Sequence, residues 1–497
     1  MRMKAADEVA ASLSASIATI LTSPRPTKTH PPLERLENAR RSLPQHLPDL
    51  GLEMEETFRH VREDVVPGLS QSSRSSRYYG FVTGGSTPAA SLADNFVTAF
   101  DQNVGVHLPN ESVATDVEDR ALSMLCELLN LEPLQWPHKT FTTGATASNV
   151  LGLSCGREYI IKFASGDRNV SVGEIGIYEA MLQASINRIQ ILTTAPHSSL
   201  SKAASILGLG RASVTSVGLP DAPHLFDLPL LKKLLSTPGT ASIIAVSASE
   251  VNTGLYATTG MRQMQELREL SDMYGAWIHV DGAFGIMGRL LTDPEDRNII
   301  QCCEGLELAD SITGDAHKLL NVPYDCGFFL SRHREIAAQV FQNPNAAYLN
   351  SASGDDIPSP LNIGLENSRR FRALPVYASL LTYGRQGYRD MLERQIAVAR
   401  GIAEMIHESQ DFELLPRSKR TKEDILDDIF IIVLFRAKSD DLNAVLVEKI
   451  NASRQIYVSG TSWEGKSACR FAVSNWQADA KKDLPIIKQV LTDIVTA

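Results

Sequence analysis

The stretch from Ser242 to Asp281, SIIAVSASEVNTGLYATTGMRQMQELRELSDMYGAWIHVD, decides the fold. It opens with a short apolar run, SIIAVS, which is typical of a strand buried in a parallel sheet. Apolar residues then recur at helical spacing over 264–273, and Gly275 predicts the end of that helix. Another apolar run starts at Trp277. Strand, helix and strand in this order predict a parallel β-α-β unit, because parallel neighbours need a crossover connection.

Similar pieces surround this unit. RIQILT (188–193) precedes a Ser-rich helix start, and strand-like runs follow at 311–313 and 327–330. Such alternation predicts an α/β domain with a mostly parallel sheet and helices on both faces. The carboxyl ends of the strands are where such sheets bind ligands, so the residues after each strand are the candidates for a site.

The pattern changes after Leu374. A long helix is predicted from about 376 to 407, and strand-like apolar runs follow at 429–435 and 468–474. The division we predict is an N-terminal helical segment and linker over 1–77, a large domain over 78–374 and a small C-terminal α+β domain over 375–497.

The charge balance restricts the partners. The 497 residues carry 48 basic and 58 acidic side chains, a net charge of −10. This excess argues against a nucleic-acid or anionic-membrane partner. No apolar stretch is long enough to span a bilayer. Residues 1–23 predict an amphipathic helix that packs on the body or on a partner subunit, with a transit peptide as the alternative.

The cysteines argue against a metal site. Six are scattered along the chain, with no C-x-x-C pair and no Cys/His cluster at the spacing of zinc ligands. We therefore expect no bound metal. Isolated cysteines in a chain of this length are typical of a reducing compartment, which favours a cytoplasmic location.

Two charged residues follow strand-like runs. Lys318 lies in DAHKLLNVPYDCG (315–327), and its amine can form a Schiff base where the neutral form is favoured. A lone lysine is more often a solvated surface charge. Asp281 ends a buried strand in HVDGAFG (279–285), where a carboxylate needs a cationic or hydrogen-bonding partner. A pyridine nitrogen would serve, and a helix N-cap or a structural ion pair is the alternative.

Two further strand ends carry candidate residues. TTGATASN (142–149) leads into a helix, and the small residues Gly144, Ala145 and Thr146 would let backbone N–H groups approach a phosphate. His197 follows the strand at 188–193, where an imidazole can stack on a planar ring or serve as a structural residue. A phosphate loop, a His, an Asp and a Lys, each after a strand, form a combination that is more specific than any of its members.

With these motifs the sequence resembles the group II decarboxylases of amino acids, which depend on pyridoxal 5′-phosphate (PLP) and have aspartate-aminotransferase fold type I. The resemblance extends from about Tyr78 to Trp476 and is most specific at HVDGAFG and the His317–Lys318 pair. RRFRALPVYASLLTYGRQG (369–387) and SNW (474–476) also match. The resemblance implies a seven-stranded-type sheet and PLP as cofactor.

Residue by residue, the resemblance implies a set of cofactor contacts. Lys318 would hold PLP as a Schiff base, Asp281 would pair with the pyridine nitrogen, and His197 would stack on the ring. The further cofactor-binding positions are Gly144, Ala145, Thr146, Ala283 and His317.

The sequence departs from better-known members in two places. SEVNTG (249–254) stands where many carry a Thr-Thr pair, so that Glu250 and Asn252 are the residues left to contact the ring. Asp315 replaces an asparagine two positions before His317. These departures affect the expected substrate more than the cofactor.

The resemblance also implies substrate-side residues. Tyr348, in NPNAAYLN (343–350), falls where decarboxylases of the family carry a mobile-loop tyrosine that is implicated in protonating the product. The segment that forms the substrate pocket corresponds to Phe81, Thr83, Val104 and His107. Phe81 and His107 suit an aromatic substrate.

The predicted function is thus decarboxylation of an L-amino acid by a homodimer with shared active sites. The alternatives are another PLP reaction, namely oxidative deamination to an aldehyde, decarboxylative C–C bond formation or transamination. From another class, a non-catalytic homologue is disfavoured by the joint presence of Lys318, Asp281 and His197.

Overall fold

The computed structural model describes residues 11, 14–20, 23, 26–168, 170–343 and 357–496. A central sheet has seven strands: β1 His138–Thr142, β2 Arg188–Thr193, β3 Val214–Ser216, β4 Thr240–Ser247, β5 Trp277–Asp281, β6 Ser311–Gly314 and β7 Gly327–Ser331. Their order is β1-β7-β6-β5-β4-β2-β3. Only the pairings of β7 with β1 and β6 are antiparallel. The predicted mostly parallel sheet is confirmed.

The central strands are buried on both faces, which explains their continuous apolar runs. Successive side chains alternate between two cores, because a strand has a period of two residues. Ile243 and Trp277 pack in one core, with the helix Ala145–Ser165. Ile244 and Ile278 pack in the other, larger core.

The β-α-β unit at 242–281 forms as predicted. Its helix spans Met261–Tyr274 and buries Met264 and Leu267. Gly275 ends the helix in the left-handed conformation (φ 63°, ψ 35°), and its N–H donates to Ser271 O. A glycine adopts this conformation without a steric penalty, so the C-cap follows directly from the sequence.

A smaller antiparallel sheet lies near the C-terminus. Its strands are β8 Phe412–Leu415, β9 Ile432–Ala437, β10 Ser459–Trp463 and β11 Lys466–Ala472, in the order β10-β11-β9-β8. The apolar runs at 429–435 and 468–474 predicted β9 and β11, whose observed ends differ from the predicted ones by two or three residues. Phe430 and Ile431 are buried although they precede β9. The apolar run in the sequence is therefore longer at its start than the strand, because it also includes buried residues that are outside the sheet.

The helices surround both sheets. They span Leu33–Ser42, Met54–His60, Pro88–Phe100, Ala114–Leu128, Ala145–Ser165, Val172–Ile175, Ile177–Gln183, Ser198–Ile206, Leu228–Leu235, Met261–Tyr274, Arg297–Cys303, Arg334–Phe341, Ala373–Glu408, Lys422–Asp427, Asp440–Ala452 and Ala480–Thr496. Among the described residues, no helix combines the length and the apolar character that crossing a bilayer requires.

The long helix Ala373–Glu408 connects the two sheets. It is interrupted at Gly384 (φ 56°, ψ −171°). Its apolar residues up to Ile396 belong to the larger core, and those from Val398 onward belong to the core of the small sheet. The boundary predicted at 374/375 remains a prediction, since one helix contributes to both cores.

The N-terminal segment contacts the small sheet region. Thr29 N–H donates to Arg454 O, and Tyr79 N–H donates to Tyr457 O. Residues 14–20 are helical, but Ile17 and Ile20 are 48% and 40% exposed, so these side chains are not packed on the body of this chain. Packing on a partner subunit stays a prediction.

Candidate active site

Five chain segments that leave the central sheet meet at one edge. They follow β1, β2, β4, β5 and β6, which share one direction because β7 alone is reversed. Between them lies a cavity of about 440 Å³. The predicted residues that line it are Gly144, Ala145, Thr146, His197, Glu250, Asp281, Ala283, His317, Lys318 and Phe81. The structure thus brings together residues that are up to 237 positions apart, counted from Phe81 to Lys318.

Lys318 presents its amine to this cavity. Its side chain is 19% exposed, and Nζ lies 2.8 Å from Asp315 Oδ2. Nζ also lies 5.7 Å from the centroid of the Phe284 ring. The backbone of Lys318 is tightly packed, because a Cβ on Gly84 would come within 1.8 Å of Lys318 O. The lysine is therefore held at the site and is not a solvated surface charge.

The helix Ala145–Ser165 points its N-terminus at the cavity. Gly144 precedes it with φ 153°, a conformation that favours glycine, and provides no side-chain cap. Ala145 N–H donates to Asp315 Oδ1 at 2.6 Å. Small side chains and the positive end of the helix dipole make this a suitable place for a phosphate. Asp315 connects that N-terminus to the Lys318 amine.

Asp281 ends β5 at the cavity. Its Oδ2 accepts a hydrogen bond from Asn149 Nδ2 at 3.0 Å, and its Oδ1 accepts one from Ala283 N–H at 3.2 Å. The two donors fix the orientation of the carboxylate at the cavity. The alternative of a helix N-cap does not apply, because no α-helix begins directly after Asp281, and its carboxylate accepts from Ala283 N–H and from Asn149.

His197 caps the helix Ser198–Ile206. Its Nδ1 accepts from Ser199 N–H at 3.2 Å and lies 2.8 Å from Ser199 Oγ. Burial lowers the pKa of His197, and nearby Asp281 opposes this shift. The ring is thus neutral at neutral pH, with its proton on Nε2, and a flat neutral imidazole suits stacking on a planar cofactor. His197 therefore both caps the helix Ser198–Ile206 and lines the cavity.

His317 supports the Lys318 loop. Cys326 N–H donates to its Nδ1 at 3.2 Å, and its ring lies 4.5 Å from that of Tyr324 at an interplanar angle of 34°. Burial lowers the pKa of His317, so a neutral ring faces the cavity. Trp476 N–H donates to Asn321 Oδ1 at 2.8 Å, which ties the SNW motif to the same loop.

The loop that replaces the Thr-Thr pair is folded on itself. The Glu250 carboxylate lines the cavity but accepts from the N–H groups of Asn252 and Thr253. Asn252 points away, with Oδ1 accepting from Thr461 Oγ1 at 2.8 Å. Only Glu250 of the predicted pair therefore reaches the cavity of this chain.

The predicted substrate-pocket residues separate into two groups. Phe81 lines the cavity and is 64% exposed. Thr83 is buried and donates to Gly80 O, Val104 lies in the larger core, and His107 contacts Thr115 Oγ1 at 2.7 Å. These three do not line the cavity within this chain. Tyr348 lies outside the described residues.

Sequence reasoning missed Arg470. It comes from β11 of the small sheet, is 7% exposed and lines the cavity. Its Nη1 donates to Val251 O at 2.6 Å, while its buried Nε has no hydrogen-bond partner. An arginine inside the apolar run at 468–474 was the available signal, because buried guanidinium groups need anionic or polar partners.

Strained backbone adjoins the cavity. Phe81 and Val82 both have positive φ, 58° and 57°. For a β-branched residue such as Val82 this costs about 1 kcal/mol or more. Strain of this kind persists where the surroundings fix the conformation, as at a binding site. Within the described residues, no three His, Cys, Asp or Glu side chains gather to hold a metal ion.

The comparisons define the family. Residues 37–424 match the pyridoxal-dependent decarboxylase conserved domain. The chain therefore belongs to the family of pyridoxal-dependent decarboxylases, which are carboxy-lyases with PLP as cofactor. The predicted family, enzyme class and cofactor are confirmed. The residues present fit that cofactor. Lys318 offers an amine for its aldehyde, and Asp281 and His197 offer a carboxylate and a flat ring for its pyridine ring. The N-terminus of the helix Ala145–Ser165 offers N–H groups for its phosphate.

Curated relatives carry several activities in their names. L-2,4-diaminobutyrate decarboxylase of Acinetobacter baumannii is 26% identical over 313 residues, 63% of this chain and 58% of that protein. Tyrosine/DOPA decarboxylase 5 of Papaver somniferum is 23% identical over 462 residues, 88% of this chain and 83% of that protein. Phenylacetaldehyde synthase of Petunia hybrida is 24% identical over 452 residues, 87% and 83% of the two chains.

Solved structures share the fold. The crystal structure of Oryza sativa TDC with PLP and tryptamine has a TM-score of 0.77 at 18% identity and covers 99% of this chain and 97% of that one. Mouse CSAD in apo form has a TM-score of 0.80 at 17% identity, with 99% and 98% covered. These similarities confirm the predicted fold class.

Proposed function

We propose that this chain decarboxylates an aromatic L-amino acid with PLP held by Lys318. The observation that carries the proposal is the convergence of Lys318, Asp281, His197 and the N-terminus of the helix Ala145–Ser165 on one cavity. Once bound, PLP supplies an electron sink for the bond that breaks as CO₂ leaves. The residues of the chain supply binding, orientation and charge.

We base the cofactor contacts on the residues that line the cavity. Lys318 would bind PLP covalently through its amine, and the Asp281 carboxylate would pair with the ring nitrogen. His197 would stack on the ring. Gly144, Ala145 and Thr146 would hold the phosphate with His317 nearby, and Ala283 would contact the ring. Glu250 faces the same cavity, and Asn252 holds the neighbouring loop against the small sheet.

Arg470 is the group we assign to the substrate carboxylate. It lines the cavity, and its buried Nε has no hydrogen-bond partner. A guanidinium binds a carboxylate through charge-assisted hydrogen bonds. Placing the leaving carboxylate beside a fixed cation orients the substrate before the bond breaks.

The aromatic substrate class rests on the rim of the cavity. Phe81 is 64% exposed on its wall, and Tyr324 is 55% exposed, with its ring tilted by 34° against the ring of the cavity-lining His317. Exposed aromatic rings beside a cavity favour a planar apolar side chain. Relatives named tyrosine/DOPA decarboxylase and tryptophan decarboxylase support this class. For Thr83, Val104 and His107 we propose an indirect role, in which they support the segment that carries Phe81.

Tyr348 is proposed as the proton donor to the product carbon. A tyrosine on a closing loop can both protonate and exclude oxidants. Tyr348→Phe is expected to keep PLP but release less amine and consume oxygen, as read from the ratio of amine to aldehyde with peroxide detection. Amine formation at the wild-type rate would contradict this role.

Aldehyde formation is the second candidate function. Phenylacetaldehyde synthases of Petunia hybrida and Arabidopsis thaliana are among the relatives. A screen of L-amino acids with the purified protein, following CO₂, amine, aldehyde and peroxide, separates the two candidates. Amine with CO₂ and no peroxide supports decarboxylation, and aldehyde with peroxide from the wild type overturns it.

A homodimer with shared active sites is the proposed assembly. Leu92, Phe96 and Phe100 recur every four residues on the helix Pro88–Phe100 and are 59%, 61% and 79% exposed. The helix Leu33–Ser42 has no buried residue. Apolar stripes of this kind mark subunit contacts. Sedimentation of the wild type and of Phe96→Asp checks this: the variant is expected to be monomeric and inactive.

A cytoplasmic location is proposed from the cysteines. All six are free, and five are buried. Burial raises the pKa of Cys126 and of Cys303 to about 12, which keeps both as thiols. Free thiols persist in reducing compartments. Fractionation of cells that produce the tagged chain tests this location.

A further inference from the structure

An uninterrupted series of hydrogen bonds leads from the core of the sheet to Asp281. Trp277 Nε1–H donates to Ser311 Oγ at 3.0 Å, and Ser311 Oγ lies 2.8 Å from His279 Nδ1. His279 Nε2 lies 2.8 Å from Asn149 Oδ1. Asn149 Nδ2 then donates to Asp281 Oδ2 at 3.0 Å. Except for Asp281 at the cavity, all of these residues are buried.

The directions of these bonds are fixed by chemistry. The amide oxygen of Asn149 only accepts, so His279 Nε2 must carry the proton. His279 Nδ1 then accepts, and the Ser311 hydroxyl donates to it while accepting from Trp277. Burial lowers the pKa of His279 to about 4, so the ring holds a single proton at neutral pH. Asn149 therefore cannot flip, and its N–H groups point at Asp281 and Ser199.

The second hydrogen of Asn149 Nδ2 extends the series of hydrogen bonds toward His197. It donates to Ser199 Oγ at 3.1 Å, which leaves the Ser199 hydroxyl to donate to His197 Nδ1. One buried amide thus orients both Asp281 and His197. Neither Asn149 nor His279 lines the cavity.

The helix leaves room for this arrangement. A Cβ on Gly152 would lie 2.3 Å from His279 Cε1, and one on Gly156 would lie 2.9 Å from Trp277 Cδ1. Asn149, Gly152 and Gly156 share one face of the helix Ala145–Ser165, at spacings of three and four residues. The two glycines allow the rings to pack directly on the helix backbone.

We propose that Asn149 and His279 are positioning residues, which orient the Asp281 carboxylate toward the pyridine nitrogen of PLP. The inference rests on the proposed role of Asp281 and goes beyond it. An Asp281 that lacks the Asn149 donor keeps only the Ala283 N–H, so the orientation of its carboxylate is less firmly fixed. A hydrogen bond to a charged group contributes about tenfold or somewhat more to an equilibrium.

A matched pair of variants at His279 tests the proposal. Gln places its amide nitrogen near the position of Nε2 and keeps the donor to Asn149, whereas Asn is too short to reach it. His279→Asn is expected to lower kcat per bound PLP about tenfold and to speed PLP loss from the holoenzyme about tenfold, with KM unchanged. His279→Gln is expected to stay within about threefold of the wild type.

Controls separate a positioning role from a structural one. Ser154→Ala removes another buried hydroxyl of the same helix, which bonds only Val150 O, and is expected to leave kcat per bound PLP unchanged. Melting temperatures are recorded for every variant. Equal losses in His279→Gln and His279→Asn would overturn the proposal, because the N–H donor would then be irrelevant.

Asn149→Asp decides the matter if His279→Asn does not fold. It is isosteric and replaces the Nδ2 donor to both Asp281 and Ser199 by an oxygen, so a loss of at least about tenfold is expected. Wild-type kcat and PLP retention in this variant would overturn the proposal. If Asp281→Asn itself retains wild-type kcat, the role assigned to Asp281 is wrong. If Asp281→Asn loses activity but the Asn149 and His279 variants keep wild-type kcat and PLP retention, only the positioning role is wrong.

Discussion

The two walls of the cavity are built differently. On the wall from the central sheet, Asp281 and His197 are held by hydrogen bonds that continue into the core through Asn149 and Ser199. On the wall from the small sheet, the Arg470 guanidinium has one bond to Val251 O and an unpartnered Nε. The groups of the first wall are oriented by protein partners behind them, whereas the Arg470 Nε of the second wall is a donor that no protein group uses. We infer that the first wall serves the cofactor and the second serves the substrate.

Asp281→Ala is expected to give the largest effect among the wall residues. Removing the anion that pairs with the ring nitrogen weakens the electron sink and lowers kcat about 100-fold or more, equivalent to roughly 3 kcal/mol of barrier. The measurement is kcat per bound PLP, with circular dichroism as a check on folding. A loss below about tenfold would assign Asp281 a structural role.

Arg470→Gln tests the opposite wall. We expect KM to rise about tenfold while PLP stays bound, because a charged contact to the substrate carboxylate is lost. Arg436→Gln is the control: Arg436 is also buried in the small sheet, but it pairs with Glu413 and does not line the cavity. Similar KM values for both variants would argue against a substrate contact.

The pH dependence of stability tests the buried ring beneath the cofactor wall. Burial lowers the pKa of His279 from 6.5 to about 4, so the unfolded chain binds this proton more readily than the folded one. Stability is therefore expected to fall as the pH drops from about 6.5 toward 4. Thermal melts of wild type and His279→Gln over this range provide the check. A wild-type curve no steeper than that of the variant would contradict the buried neutral ring.

Phe81→Leu should give the smallest effect. Phe81 is mostly exposed at the cavity wall, so its replacement removes one aromatic contact to a substrate ring. We expect kcat/KM for aromatic amino acids to fall about fivefold relative to aliphatic ones, or roughly 1 kcal/mol. An unchanged ratio would remove Phe81 from the specificity determinants.

The sequence predicted the cofactor wall better than the substrate wall, for physical reasons. Parallel strands buried on both faces leave continuous apolar runs, and the residues after them meet at one edge of the sheet. Asp281, His197 and Lys318 could therefore be placed together from their local context. Arg470 could not, because its approach to the cavity depends on how the small sheet packs after a long kinked helix. Asn149 ends the TTGATASN motif, but nothing in the local sequence indicates that its amide bonds Asp281.

The substrate side shows the same limit. Val104 and His107 belong to a segment that resembles a pocket-forming one, yet they pack inward in this chain. Phe81 reaches the cavity through two consecutive residues with positive φ, which no propensity predicts. Contacts of this kind follow from tertiary packing and not from a sequence period.

The most direct test of the central claim is the chemical identity of the cofactor-bearing residue. The holoenzyme is reduced with borohydride, digested and mapped by mass spectrometry, with Lys318→Ala treated in parallel. We predict the pyridoxyl mass on the peptide that contains Lys318, loss of the visible absorbance on reduction, and no label or turnover in Lys318→Ala. A label on another lysine, or turnover retained by Lys318→Ala, would contradict the account.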